Sequence, residues 1–304
     1  MKGKDFLSVA DLSSEGVSQL IERAYKMKRG KGERPLEGKE FALLFEKPSL
    51  RTRVSFEVGI RQLGGTCTYL SQQDVGLGVR EPEADIARVL DRWVDGIIAR
   101  VFSHRSLELL AKYCDIPVVN ALSDLEHPCQ AMGDLLTIQE HKGRLSDLNV
   151  AFVGDGNNVA ASLALACASV GANFTLASPE DYQIPAPVLD EAKSRAARSE
   201  SRIDWVSEPN EAAQDADVLY TDTWISMGQE DEKAERIAIF GNYKIDEELA
   251  KAAKSDFLFM HDMPAYRGQE LSEGMIDHPN SVVFDQAENR MHAQKAVLAA
   301  IYSD

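Results

Sequence analysis

Two arginines and two hydroxyl side chains lie together in the segment Ser49-Leu-Arg-Thr-Arg53, which follows a short apolar run. Free backbone N–H groups at the start of a helix favour an anion, and Arg51 and Arg53 can bind phosphate through paired hydrogen bonds. An N-capped helix with solvated arginines would have the same residues, so the segment alone leaves both interpretations open. Arg100 leaves another apolar run, and an arginine in that position usually has an anionic partner. Together these residues favour an anion-binding site.

A histidine and a glutamine flank the start of a predicted helix in the segment His127-Pro-Cys-Gln130. A neutral imidazole and an amide are suitable hydrogen-bond donors to a carbonyl oxygen that gains negative charge during acyl transfer. A single histidine is more often structural. Because Arg100 and the segment 49–53 belong to the same predicted sheet, we favour the catalytic interpretation.

The segment Gly154-Asp-Gly-Asn-Asn158 follows a predicted strand and precedes a helix, as a dinucleotide-binding loop would. Two features exclude that interpretation. Val159 occupies the place of the third glycine, and no acidic residue ends the next strand, at 173–177. The two asparagines instead suit hydrogen bonds to a small polar ligand.

Asp222 and the loop Ser226-Met-Gly228 follow a further strand. An acidic side chain there can hold an ammonium group, while a serine with nearby backbone can hold a carboxylate. The alternative is that Asp222 only caps a helix, which is common. The first half of the chain thus offers a site for an anion. The second half offers groups that can bind the ammonium and carboxylate groups of an amino acid.

Short β-rich runs alternate with helical patterns, which is typical of right-handed βαβ units and of parallel sheets covered on both faces. The predicted strands are 41–45, 66–70, 96–102, 116–120, 148–153, 173–177, 203–206, 218–221 and 257–261. The predicted helices are 13–27, 52–63, 84–94, 107–113, 128–141 and 286–302. We therefore expect an α/β fold with two doubly wound parallel-sheet domains that face a cleft. Ligands of such sheets bind beyond the carboxyl ends of the strands.

The polar stretch 142–147 separates the two halves of this pattern. We expect a first domain over residues 1–145, completed by a C-terminal helix at 286–304 that crosses back to it. The second domain is expected over residues 146–285.

Composition limits the partners. The chain has 304 residues with 33 Lys and Arg against 49 Asp and Glu, and this net charge of −16 argues against binding nucleic acid or an anionic membrane. No apolar run approaches the roughly 18–20 residues of a membrane helix, and the first 20 residues lack the apolar block of a signal peptide. The four cysteines are scattered, which predicts reduced thiols rather than disulfides or a metal site. We expect a cytoplasmic protein.

Seven segments, in this order along nearly the whole chain, resemble the motifs of the ornithine carbamoyltransferases. They are Ser49-Leu-Arg-Thr-Arg53, Ala99-Arg-Val101, His127-Pro-Cys-Gln130, Gly154-Asp-Gly-Asn-Asn158, the segment from Asp222 to Glu230, His261-Asp-Met-Pro264 and Glu288-Asn-Arg290. The resemblance implies a domain for carbamoyl phosphate and a domain for L-ornithine, which would react to give L-citrulline and phosphate in arginine metabolism. It also implies a homotrimer, or a multiple of trimers, with active sites near subunit interfaces, and no metal or organic cofactor.

The resemblance further implies roles for individual residues. Carbamoyl phosphate would be bound by Ser49, Leu50 through its backbone N–H, Arg51, Thr52, Arg100, His127, Gln130, Asp262, Met263 and Arg290. L-ornithine would be bound by Asn158, Asp222, Ser226 and Met227. Arg100, His127 and Asp262 would be the catalytic residues, and we expect Arg53 to converge on the same anion site. The loop Ser226-Met-Gly228 is the feature that separates enzymes acting on ornithine from relatives acting on aspartate or putrescine.

Three positions depart from the family pattern. Leu50 matters little, because its expected contribution comes from the backbone. Gly76 lies in a loop that reaches toward the neighbouring subunit's site in the family, where Gln or His is frequent, so that phosphate contact is expected to be missing. Asp262 replaces the thiol of the family's His-Cys-Leu-Pro motif and places a carboxylate near the ornithine side chain. That carboxylate could bind the δ-ammonium or accept its proton.

Two alternatives follow from these departures. Asp262 could mark a carbamoyltransferase that acts on another amine, such as an acylated ornithine or a diamine. A non-catalytic paralogue that binds carbamoyl phosphate is disfavoured because Arg51, Arg100, His127 and Arg290 are all present.

We predict activity with an alkaline-shifted pH optimum. A carboxylate at Asp262 raises the pKa of the amine beside it, so that a higher pH is needed to form the nucleophilic free base. The pH–rate profile of Asp262→Cys should therefore lie at lower pH than that of the natural protein. A profile that does not move would contradict this role of Asp262.

Overall fold

The computed structural model describes residues 1–30, 34–225 and 228–303. The chain forms two compact units, Met1–Leu136 with Asn289–Asp304, and Thr137–Glu288. The chain passes between the units within two long helices, one at Pro128–Lys142 and one at Val283–Tyr302. Each unit contains a parallel sheet with helices around it, which confirms the predicted α/β fold class.

In the described part of the first unit, four parallel strands are arranged in the order β2-β1-β3-β4. The strands are β1 (Glu40–Phe45), β2 (Thr66–Ser71), β3 (Gly96–Arg100) and β4 (Val118–Leu122). The helices are α1 (Ser14–Arg29), α2 (Leu50–Gln62), α3 (Gln72–Val75), α4 (Glu83–Leu90), α5 (His104–Tyr113) and α6 (Pro128–Lys142). β3 is buried along its whole length, as expected for a central strand covered on both faces.

In the described part of the second unit, five parallel strands are arranged in the order β7-β6-β5-β8-β9. The strands are β5 (Asn149–Val153), β6 (Asn173–Ala177), β7 (Ile203–Val206), β8 (Val218–Tyr220) and β9 (Leu258–Met260). The helices are α7 (Asn158–Val170), α8 (Ala186–Ser199), α9 (Pro209–Ala213), α10 (Lys233–Phe240) and α11 (Glu247–Ala250), and α12 (Val283–Tyr302) begins in this unit and continues into the first. α7 is the most apolar of these, and its residues from Val159 to Ser169 are buried.

Most predicted elements agree with the observed ones, and the differences lie at their ends. α5 begins three residues before the prediction because Ser103 caps it, with its side chain accepting a hydrogen bond from the Arg105 N–H. α4 ends at Leu90, before the predicted end at residue 94. β8 ends at Tyr220 rather than at Thr221, so Asp222 lies two residues beyond the strand.

None of the helices in the described ranges is both long enough and apolar enough to cross a membrane.

The loop between β5 and α7 needs glycine for steric reasons. Gly154 has a φ of 138°, which side chains rarely adopt. A Cβ added at Gly156 would lie 2.5 Å from the backbone of Gln183 and Ile184. The glycines of this segment thus permit a strained turn and close backbone packing.

We predict that Gly156→Ala destabilises the protein by about 1–3 kcal/mol, because the contacting atoms are backbone and cannot move aside cheaply. Thermal unfolding followed by circular dichroism measures the effect. Gly241→Ala is the matched control, since its added Cβ would meet nothing closer than 3.4 Å. Equal unfolding temperatures for the two variants would contradict the steric account.

Candidate active site

In the first unit, the N-terminus of α2 lies at the carboxyl end of β1. The side chain of Ser49 caps the helix, accepting a hydrogen bond from the Thr52 N–H at 3.2 Å and donating one to Thr52 Oγ1 at 3.0 Å. The first N–H groups of a helix have no intrahelical acceptor and are available to an anion. The side chain of Leu50 is 74% exposed, which is compatible with a role for its backbone N–H alone.

Arg100 connects this helix terminus to the sheet. β1 and β3 pair in parallel with Phe45 opposite Arg100, so the arginine leaves its strand where the chain turns toward α2. Its Nη1 donates a hydrogen bond to Thr52 Oγ1 at 3.4 Å, and both side chains are buried. A buried guanidinium beside free helix N–H groups is an electrostatic site for an anion.

The two arginines of α2 differ. Arg51 is partly exposed and forms no ion pair among the residues that the structure describes. Arg53 is exposed, and its guanidinium is bound to Glu57 at 2.8 Å and lies 3.8 Å from the ring centroid of Tyr69. The prediction that Arg53 converges on the anion site is therefore wrong. A glutamate four residues later on the same helix face was the sequence signal for this pairing.

His127 precedes α6 and is buried in the same unit. Burial, followed by the positive charges of Arg290 and Arg100, holds the pKa of His127 well below its ordinary value. The imidazole is consequently neutral at physiological pH and can donate a hydrogen bond without carrying charge. This is the state that stabilising a developing carbonyl oxyanion requires.

Gln130 and Arg290 are held together beside His127. Arg290 Nη1 donates to Gln130 Oε1 at 2.8 Å, and Gln130 Nε2 donates to Asp134 Oδ1 at 2.8 Å. Gly133 allows this pairing, because a Cβ there would lie 2.9 Å from Cα of Arg290. The structure thus links Ser49, Thr52 and Arg100, and it places His127 among the charges of Arg100 and Arg290.

In the second unit, Asp222 lies beyond the end of β8. Asn157 Nδ2 donates to Asp222 Oδ2 at 2.7 Å, and the Thr223 N–H donates to Asp222 Oδ1 at 2.7 Å. The pKa of Asp222 is raised well above its ordinary value, mainly by burial and then by the charge of Asp262 and a hydrogen bond with it. Asp222 therefore retains a proton more strongly than an exposed aspartate does.

The two adjacent asparagines have different surroundings. The Oδ1 of Asn157 accepts hydrogen bonds from the N–H groups of Val159 and Ala160, which caps α7, while its amide nitrogen orients Asp222. Asn158, the predicted ornithine ligand, is the first residue of α7. The contact of Asn157 with Asp222 was not predicted, although Asn before a helix is a common cap. Ser226 and Met227 lie outside the described residues.

Asp262 and Met263 follow β9 in a turn supported by His261. The Met263 N–H donates to His261 Nδ1 at 2.9 Å, and His261 Nε2 lies 3.2 Å from Glu270 Oε1. Because Nδ1 accepts a hydrogen bond, the ring proton lies on Nε2, where it can be donated to Glu270. His261 and Glu270 are fully buried, and Met263 is held at a φ of 61°. Glu270 was not predicted as a functional residue, because the residues around it in the sequence form no recognisable motif.

Asp155, inside the glycine segment, has a structural role. Its carboxylate is paired with the buried guanidinium of Arg236, whose Nε also donates to the backbone oxygen of Trp224 at 2.5 Å. Burial raises the pKa of Asp155 to about 6, and the pairing with Arg236 opposes that rise. The pair fastens the loop after β8 to the loop after β5.

Asp222, His261 and Asp262 each place one potential ligand atom within 4.8 Å of the others. A metal ion would need a lone pair from the histidine, but Nδ1 already accepts the Met263 N–H and Nε2 faces Glu270. The two carboxyl groups remain, and they suit a proton or an ammonium group.

Gly76, at a position where Gln or His is frequent in the family, has a backbone conformation that favours glycine. Gly76 ends α3 with a φ of 65°, and an added Cβ would lie 2.7 Å from Cβ of Arg80. A longer side chain at this position would be strained in this loop.

The first unit thus has buried arginines near a helix N-terminus, and the second has two acidic side chains near the ends of neighbouring strands. Each unit is built on its own parallel sheet. Residues 4–140 match the family model "Aspartate/ornithine carbamoyltransferase, carbamoyl-P binding domain", and residues 146–301 match "Aspartate/ornithine carbamoyltransferase, Asp/Orn binding domain". The chain belongs to the aspartate/ornithine carbamoyltransferase family.

Similar proteins agree with this assignment. An ornithine carbamoyltransferase of Thermococcus kodakarensis is 52% identical, with 99% of this chain and 97% of that protein aligned. One from Bacillus subtilis is 49% identical over 98% of this chain and 94% of that protein. The solved ornithine carbamoyltransferase of Pyrococcus furiosus has a TM-score of 0.95 and 49% identity, covering 99% of this chain and 97% of that one. The resemblance inferred from the seven motifs is confirmed.

We predict that His127 makes stability depend on pH below about 6.5, the reference pKa of histidine. Since the pKa of His127 is lowered in the folded protein, the unfolded chain binds more protons and stability falls as pH decreases. The slope from this residue is at most about 1.4 kcal/mol per pH unit. Between pH 7.5 and 5.5, thermal unfolding should show that His127→Gln loses less stability on acidification than the natural protein does. His141→Gln, at a partly exposed position, is the control and should lose at least as much stability as the natural protein. A loss of stability in His127→Gln as large as in the natural protein would refute the prediction.

Proposed function

We propose that this protein transfers the carbamoyl group of carbamoyl phosphate to the δ-amine of L-ornithine, giving L-citrulline and phosphate. The observation that carries the proposal is the cluster at the N-terminus of α2, where buried Arg100 binds Thr52 and a neutral His127 lies among arginine charges. Full-length relatives named ornithine carbamoyltransferase, such as the one 52% identical, support the choice of substrates.

The first unit would bind carbamoyl phosphate. The phosphate oxygens would accept hydrogen bonds from the N–H groups at the start of α2 and from the Ser49 hydroxyl, and Arg51 would neutralise their charge. Arg290 and Gln130, already paired, would contact the carbamoyl group. Arg51 suits this role because no carboxylate in the described residues competes for it.

The reaction needs no protein nucleophile. The amine attacks the carbamoyl carbon, a C–N bond forms, and the C–O bond to phosphate breaks. Negative charge collects on the carbonyl oxygen and then on the leaving phosphate. Arg100, Thr52 and neutral His127 would stabilise the charge on the carbonyl oxygen. The N-terminus of α2 and Arg51 would stabilise the charge on the leaving phosphate. Positioning of the two reactants supplies the remaining acceleration.

The second unit would bind L-ornithine. Asp222 and Asp262 would meet the side-chain amine, while Asn158 and the loop containing Ser226 and Met227 would bind the amino-acid end. The relatives from Pyrococcus furiosus and Campylobacter jejuni carry the word anabolic in their names, which supports a role in arginine biosynthesis.

Asp262 favours one competing substrate class. A second carboxyl group in the amine site could select another cationic amine, such as an acylated ornithine or a diamine. Carbamoylation of ornithine, N-acetylornithine, putrescine and lysine, compared by kcat/KM, distinguishes these acceptors.

We further propose that the protein acts in the cytoplasm as a homotrimer or a multiple of trimers. Several large apolar side chains of the first unit are exposed and suit an interface between copies: Leu50, Val54, Val79, Val89 and Trp93. The net charge of −16 disfavours nucleic acid and anionic membranes as partners.

We predict that Arg51→Ala lowers kcat/KM for carbamoyl phosphate by about 100-fold or more, since charge on the leaving phosphate is left unneutralised. Arg53→Ala, two residues later on the same helix, is the matched control. It removes an exposed ion pair with Glu57 and should change kcat/KM by less than about fivefold. Citrulline formation measures both. Near-normal turnover in Arg51→Ala would overturn the assignment of the phosphate site.

A further inference from the structure

The ends of β8 and β9 bring two acidic side chains together. These neighbouring strands pair in parallel with Tyr220 opposite Met260. Asp222 and Asp262 each lie two residues beyond that pair, so the strand register brings them to the same edge of the sheet. One carboxyl oxygen of Asp222 lies within 4.8 Å of a carboxyl oxygen of Asp262. Two carboxyl groups this close repel each other when both are ionised, which favours a proton on one of the two.

The hydrogen bonds around the pair leave one acceptor open. The oxygens of Asp222 accept from Asn157 Nδ2 and from the Thr223 N–H. Asp262 Oδ1 is buried and has no hydrogen-bond partner among the described residues. This oxygen lies 3.7 Å from His261 Nδ1, which is already occupied by the Met263 N–H. Asp262 Oδ1 therefore keeps an acceptor capacity that no described residue uses.

The titratable groups around the pair do not neutralise it. His261 is engaged with Glu270, another acid, and the nearby Asp155 is paired with Arg236. The charge that acts on the pKa of Asp222 is the negative charge of Asp262, which raises it in addition to burial. Two adjacent carboxyl groups in such surroundings cannot both ionise cheaply without a cation.

We propose that Asp222 and Asp262 share one proton in the empty site, and that the terminal ammonium of the amine substrate displaces this proton when it binds. The inference rests on the function proposed above and deepens it. The pair recognises the positive charge at the end of the substrate side chain, and the same pair later receives the proton that the ammonium must lose.

The proton balance over one cycle is complete. Ornithine binds with its δ-ammonium, the shared proton leaves to solvent, and both carboxylates are ionised. The ammonium then transfers one proton to the pair, which restores its singly protonated state and leaves a neutral amine. That amine attacks the carbamoyl carbon as the C–O bond to phosphate breaks. The second amine proton leaves with the phosphate as HPO₄²⁻, so each turnover releases one proton, at the binding step.

Calorimetric titration in buffers of different ionisation enthalpy counts the protons released on binding. The protein is first saturated with phosphonoacetamide, the methylene analogue of carbamoyl phosphate, so that no carbamoyl group can be transferred. Near pH 7, L-ornithine should release about one proton, whereas L-norvaline, which lacks the δ-amine, should release about none. The affinity ratio of ornithine to norvaline should rise with pH.

Variants identify the source of the proton. Asp262→Asn keeps the shape but removes one carboxyl group, and it should abolish most of the release and lower the ornithine-to-norvaline affinity ratio at least about tenfold. Asp262→Cys should behave similarly near pH 7. Asp204→Asn, which changes an exposed acid on β7, should retain the natural proton count and ratio. Thermal unfolding confirms that each variant is folded.

Equal proton release with ornithine and norvaline, or undiminished release in Asp262→Asn, would overturn the inference. The proton count needs no turnover, so it is independent of the assay for citrulline. If the natural protein makes citrulline but releases no proton on binding ornithine, the inference fails and the proposed function stands. If ornithine releases a proton but no citrulline forms, the proposed function fails.

Discussion

Parallel strand pairing is the constraint on which the candidate binding residues of each unit depend. In a parallel sheet all strands end at the same edge, so polar residues that follow different strands become neighbours. Phe45 lies opposite Arg100 in one sheet, which brings the arginine to the start of α2. Tyr220 lies opposite Met260 in the other, which brings two aspartates together. The apolar strands themselves are buried by the helices around them, and this burial keeps the registers in place.

Burial then sets the charge of the functional groups. His127 is neutral because burial, and then the positive charges of Arg290 and Arg100, disfavour its protonated form, so its imidazole can serve as an uncharged donor. The pKa of Asp222 is raised because burial, and then the negative charge of Asp262, disfavour its ionised form. One unit is therefore prepared for an anion and the other for a cation, although the whole chain carries a net charge of −16. Local electrostatics, rather than net charge, identifies the ligands.

Much of the fold and of the site could be predicted because the signals were local. Alternating apolar runs and helical patterns predicted the strands, and their order implied parallel sheets. Ser49 and Arg100 were found because Ser49 follows an apolar run within a short turn and Arg100 leaves another apolar run. Asn157 was missed because its contact with Asp222 joins residues 65 positions apart. Glu270 was missed because its importance comes from burial beside His261, nine positions earlier, which the residues between them do not reveal.

The sequence by itself determined the α/β class, the order of the motifs and the family, because periodicity and spacing are properties of neighbouring residues. Only the tertiary structure decided which charged groups act together. It assigned Arg53 to Glu57 rather than to the anion site, and it placed Asp262 beside Asp222, which lies 40 positions earlier in the sequence. The physical reason is that protonation and pairing depend on burial and on distances between atoms, which folding alone establishes.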